Sequence, residues 1–178
     1  MRIRKCLVVC FAALLASIGL TTPTAAAAAS IPLTCGAQTG GSDKVYNPIK
    51  AVRVGSHPAD GYDRFVIEFA NQAAGLPFWT ATPKSSALFY QESGQGFRPV
   101  QLEGNAGIKL SMFSTSLHDP APVEPDDFNP TFPQLTEVRD IGDFEGHVTF
   151  GLGLVNQSCK RIQVFNSPLR LVIDVPTS

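Results

Sequence analysis

The amino-acid sequence predicts an all-β fold: a β-sandwich of two packed, mostly antiparallel sheets, fastened by one disulfide. Three observations carry that prediction. Apolar residues recur with a period of two in one run after another. Gly, Pro and Asn clusters punctuate the runs, and no segment beyond residue 29 sustains a 3.6-residue period over ten positions.

Four runs alternate most clearly. In residues 63–70, Phe65, Ile67 and Phe69 alternate with Arg64, Val66 and Glu68, and in 107–113, Ile108, Leu110 and Met112 oppose Lys109 and Ser111. In 147–154, Val148, Phe150, Leu152 and Leu154 face away from His147, Thr149, Gly151 and Gly153; in 169–175, Leu171, Ile173 and Val175 oppose Arg170, Val172 and Asp174. Shorter runs at 49–54, 78–82, 87–91, 97–102, 137–141 and 161–165 predict further strands. Residues 64–69 and 170–175 share the order Arg, apolar, Val-Ile, acid, apolar. That echo is either coincidence in a β-rich chain or the mark of two pseudo-symmetric sheets, each with one such strand at its centre. Five prolines between His118 and Pro133 remove ladder donors, which predicts an exposed, mobile loop.

The chain divides into residues 1–29, a signal peptide; 30–48, an irregular lead-in; and 49–178, the β domain. Arg2, Arg4 and Lys5 precede an uncharged run of 15 residues, Cys6 to Leu20, and a small-residue exit through Ala29. Such a run is shorter than the roughly 20 residues a spanning helix needs. The sequence therefore predicts export, a secreted or envelope location, and no membrane span after cleavage. The small residue that lipid anchoring wants before a cysteine is missing at Cys35. Two cysteines remain after cleavage, Cys35 and Cys159, and in an exported chain they are most simply one disulfide. From Ser30 onward the chain holds 11 Lys+Arg and 15 Asp+Glu, a net charge near −4 with no basic cluster along the sequence. That balance argues against nucleic acid and anionic lipid as partners.

No nucleophile elbow, His-Glu-x-x-His pair or phosphate-cradling glycine loop accompanies His57, His118 and His147, so no catalytic residue and no cofactor is expected, and the protein is read as no enzyme. Asp143 and Glu145 form a carboxylate pair in spacing, but a solvated turn explains them better. His118, Asp119, Glu124, Asp126 and Asp127 match no calcium loop, and no metal is expected. As a binding surface, Tyr62, Asp63 and Arg64 combine an aromatic ring, an acid and a cation at a strand entrance, and Trp79 is the single indole. These four are the candidate ligand-binding residues, for a cell-wall glycan or its peptide stem; the plainer alternatives, a core place for Trp79 and a turn-stabilising cluster at Tyr62, Asp63 and Arg64, are favoured over binding. The small residues Thr149, Gly151 and Gly153 require something to approach closely, a strand, an aromatic ring such as Tyr90, or a ligand.

The closing run from Asn166 to Val175 resembles the hallmark of AMIN domains, envelope-targeting β-sandwich modules. Val52-Arg53-Val54-Gly55, the stretch from Gly61 to Phe69 and that from Gly142 to Leu154 are similar, in this order, to the AMIN-like domain of actinobacterial secreted proteins and lipoproteins. The resemblance runs from about residue 49 to 175. It implies a non-catalytic envelope or extracellular interaction module, with peptidoglycan, another envelope polymer or an envelope protein as its contact. Two rival readings make structural demands. A small-molecule or lipid carrier requires a cavity between the sheets; an unfamiliar hydrolase requires His57 or His147 beside a carboxylate and a nucleophile in a cleft.

Overall fold

The computed structural model describes residues 31–93 and 96–177, and the expected signal peptide lies outside them. Eleven strands and no helix make up the described residues: β1 (Gln38–Gly40), β2 (Ile49–His57), β3 (Tyr62–Phe69), β4 (Trp79–Lys84), β5 (Leu88–Ser93), β6 (Gly96–Gln101), β7 (Ala106–Phe113), β8 (Leu135–Phe144), β9 (His147–Leu154), β10 (Arg161–Asn166) and β11 (Leu169–Pro176). They form a five-stranded sheet in the order β1-β4-β7-β9-β8, a four-stranded sheet in the order β10-β11-β3-β2, and a separate β5–β6 hairpin. Every paired strand runs antiparallel to its neighbour. The fold is an all-β sandwich.

The alternating apolar residues meet between the two sheets. Phe65, Ile67 and Phe69 from β3 and Leu171, Ile173 and Val175 from β11 pack on Leu110, Met112, Phe150 and Leu152 of the opposite sheet. The rings of Phe65 and Phe150 stand 5.4 Å apart across the interior. Side chains thus fill the space a carrier would leave open. The sheets are also tied by a polar strut. Asp63 of β3 is 0% exposed, and its carboxylate accepts hydrogen bonds from the Ser56 hydroxyl (2.7 Å) and the amides of Gln134 (2.7 Å) and Leu135 (2.9 Å), at the start of β8.

Cys35 and Cys159 form the expected disulfide, with Cα atoms 4.0 Å apart. It fastens the lead-in beside β10, where Thr34 and Lys160 exchange two backbone hydrogen bonds. The lead-in is not wholly irregular, since β1 pairs with β4 and sets Gly40 against the Trp79 ring.

The two echoed segments are neighbours, β3 and β11, at the centre of one sheet rather than the centres of two. Their antiparallel register opposes Arg64 to Asp174 and Glu68 to Arg170, so each acid of one copy faces the arginine of the other. The proline-rich segment after β7 is built into the sandwich. Leu117 and Val123 enter the core, and Phe128 exchanges two backbone hydrogen bonds with Val138, at 2.7 and 2.8 Å. The expectation of a mobile loop overlooked these apolar anchors among the prolines.

The β5–β6 hairpin adds a local third layer. Phe89 and Leu102 form a second small core with Ala87 and Ile141 on the outer face of the five-stranded sheet. They lie on glycines: a Cβ at Gly107 would come within 2.7 Å of the Phe89 ring, and one at Gly151 within 3.1 Å of Leu102. The close approach that the small residues of β9 required is therefore made by the chain itself, with Phe89 in the place expected for Tyr90. Tyr90 points to solvent.

Candidate functional site

The fold distributes the four candidate binding residues rather than gathering them. Trp79 is 5% exposed and belongs to the inter-sheet core, and Asp63 is the buried strut. Tyr62 and Arg64 share the outer face of the four-stranded sheet, the Arg64 guanidinium 4.8 Å over the Tyr62 ring and the His57 ring 4.8 Å from it. Arg64 also grips Asp174 with two nitrogens, at 2.6 and 2.9 Å. Buried indole and strut pack; the tyrosine and arginine remain accessible.

A different set of residues makes a cleft of about 240 Å³, lined by Gly96, Phe97, Gly142, Phe144, Glu145, His147 and Thr149. The turn between β8 and β9 forms its floor. Only Glu145 and Gly146 separate the two strands, and both have positive φ, 51° and 78°, the geometry of a tight turn that matches strand twist. A glutamate in the left-handed region is uncommon and costs of order 1 kcal/mol. Phe144 and His147 face each other across that turn. Phe97, from the start of β6, forms the roof. Phe97 is 72% exposed and Phe144 51%, large values for rings of this size.

Behind the cleft the aromatic surface continues. The His147 ring meets Phe113 edge-on at 4.3 Å, and Phe113 lies 5.6 Å from Phe78. The register carries this row across β8, β9 and β7 to the start of β4. Flat apolar rings beside a hydroxyl, a carboxylate and an imidazole suit the stacked face and polar rim of a sugar ring, or a short peptide side chain. The sequence held one signal for this site, the Phe144-Glu145-Gly146-His147 turn. Its exposure could not be read without knowing how far the hairpin covers the face.

Several titratable groups nearby are tied to other parts of the fold. Asp143, paired in sequence with Glu145, accepts from the Leu117 amide (2.8 Å) and meets His118 Nδ1 at 2.7 Å. That partnership raises the His118 pKa, and among the described residues Glu145 is the one carboxylate lining the cleft. His57 and His147 engage aromatic rings, Tyr62 and Phe113. Asp119 takes the Tyr46 hydroxyl, and Asp127 accepts from the Asp140 amide at 3.0 Å. Among the described residues no group of three His, Cys, Asp or Glu converges as a metal site.

Asp140, on β8, has its pKa raised to about 6, chiefly by burial, with Asp143, Asp126 and Asp127 adding repulsion. A carboxyl with a folded pKa above its unfolded value of 3.8 favours folding below that value and loses the contribution as pH rises through 6. Asp140→Asn keeps an oxygen for the Gly142 amide and removes the charge. The variant is expected to melt higher than the parent at pH 7.5 and at nearly the same temperature at pH 3, below both pKa values. A difference that does not shrink on acidification would contradict this assignment.

No curated protein and no solved structure matches this chain. A family model, that of the AMIN-like domain, matches residues 47–177, from two residues before β2 to one residue past β11. The chain belongs to the AMIN-like domain family.

Proposed function

We propose that this domain is an exported, non-enzymatic module of the cell envelope that holds an envelope polymer, peptidoglycan foremost, in the cleft between the start of β6 and the β8–β9 turn. One observation carries the reading: Phe97 and Phe144 present their rings to solvent around polar groups that can hydrogen-bond a glycan or peptide stem. Exposed rings on a folded surface cost solvation free energy unless a partner covers them. Family membership supports an envelope association, and the single carboxylate among the described residues of the cleft does not make the carboxylate pair that glycoside hydrolysis uses. The packed inter-sheet core speaks against the carrier alternative.

The test is retention of the exported protein on purified peptidoglycan. Wild type is expected to be retained and the Phe97→Ser/Phe144→Ser double variant to lose about tenfold in affinity, the scale of one or two lost stacking contacts. Retention no better than that of an unrelated acidic β-protein would remove the reading. Undiminished retention of the double variant would move the contact off the cleft.

A further inference from the structure

The outer face of the four-stranded sheet carries a charge pattern invisible along the sequence. The register places Arg53 of β2, Arg64 of β3, Arg170 of β11 and Arg161 of β10 on this face, and Lys50 joins them at the β2 bulge through its pair with Glu68. Among the described residues of these strands the carboxylates projecting from the same face are Glu68 and Asp174, so five cations stand against two acids, with Asp60 near Arg64 at the β2–β3 turn. By contrast, the segment from Asp119 to Glu145 holds eight carboxylates and one cation, Arg139. A mildly acidic chain thus folds into a strongly polarised molecule.

The two acids lie beneath the cations rather than between them. Glu68 is held by Arg53 (2.7 Å) and Lys50 (3.0 Å), and Asp174 by Arg64 and the Gln163 amide (2.9 Å). Their carboxylates are nearly buried, whereas Lys50 and Arg53 stay well exposed. Val172 is 1% exposed although it belongs to the outward row, which requires side-chain stems around it to close over it. The Arg64 guanidinium is stacked on Tyr62, and that of Arg170 lies 5.1 Å over Phe165. Stacking fixes these planes in advance, so little freedom is lost when a ligand arrives. Among the described residues neither Arg161 nor Arg170 has a carboxylate within ion-pair distance; their side chains bond the carbonyls of Ile31 and Pro168. No strand among the described residues covers this face.

We propose that this face docks a linear phosphodiester polymer of the envelope, independently of the cleft on the opposite sheet. Charge complementarity selects a polyanion. Arg64 gives two nitrogens to Asp174 and Arg53 gives one to Glu68, while Arg161 and Arg170 each spend Nε on a backbone carbonyl, which leaves terminal N–H groups of all four for a ligand. Four of the five cations are arginines, whose planar donors meet phosphate oxygens singly or in pairs, and the polycarboxylate alternative is separated by the test. Tyr62 and Arg64, singled out in the sequence, sit at one end of this surface.

The test compares binding of the whole exported protein to immobilised poly(glycerol phosphate), to polygalacturonate and to uncharged dextran at two salt concentrations. Arg161→Gln/Arg170→Gln leaves both buried carboxylates paired, and Tm and circular dichroism report that the fold is kept. Expected are preference for the polyphosphate, about a tenfold loss in the double variant, and a salt dependence shallower by about two phosphate contacts. The Phe97→Ser/Phe144→Ser variant is expected to bind the polyphosphate like wild type, so failure here is separable from failure at the cleft. Equal binding to polygalacturonate or dextran, tighter binding to single-stranded DNA, or no loss in the arginine variant would overturn the proposal.

Discussion

Replacing Asp63 by alanine is expected to destabilise the domain by about 4 kcal/mol and to lower Tm by about 12 °C. The carboxylate receives three hydrogen bonds in a place closed to water, two of them from consecutive amides at the head of β8. Alanine leaves those amides without an acceptor, and a buried orphan donor costs about 1–3 kcal/mol. The damage is concentrated because the strut crosses from one sheet to the other, so its loss also loosens their alignment. Asp63→Asn keeps one acceptor oxygen and is expected to cost about half as much. Urea titrations of the two variants measure the difference. A loss below 1 kcal/mol for alanine would mean that the amides find another partner.

The second large effect is expected at Gly153. A Cβ there would fall 2.2 Å from the Glu103 carbonyl oxygen, far inside contact distance. That carbonyl cannot easily retreat. It accepts the Thr136 hydroxyl at 2.7 Å, the Glu103 amide donates to Glu137 at 2.7 Å, and the Asn105 amide bonds the Leu154 carbonyl at 2.9 Å. Gly104, with φ of 110°, makes the bend that brings this turn down onto β9. Gly153→Val must push the turn and the attached hairpin away, at about 3 kcal/mol. Hydrogen exchange should show faster exchange in β5 and β6 while β3 and β11 keep their protection. Unchanged protection of the hairpin would contradict the close crossing.

Much of the architecture was legible because burial on one face writes itself as alternation. β9 occurs at the residues its alternation marks, and β3, β7 and β11 within a residue of theirs. β1 escaped notice because Gln38-Thr39-Gly40 offers no apolar alternation; its place is set by pairing with β4. The sites were less legible, for a different reason. Alternation tells which residues share a face but not which faces end up covered. The alternation around Trp79 admits an exposed platform as well as the core position more usual for a lone indole, and the inward row of β4 decides for the core. Phe97 and Phe144 look like ordinary strand residues until the hairpin's reach is known. The basic face is assembled from positions 50, 53, 64, 161 and 170, so no window along the chain could contain it.

The hairpin's manner of attachment has a consequence for how such a scaffold can diversify. β5 and β6 share a ladder with each other alone among the described strands, and they rest on a floor of glycine through Phe89 and Leu102. Another insert of equal length, anchored by the same two side chains, could replace this one while every ladder bond of the sandwich stayed in place. Recognition at the roof, where Phe97 stands, is thereby uncoupled from the framework beneath, and selection can rewrite the one without eroding the other.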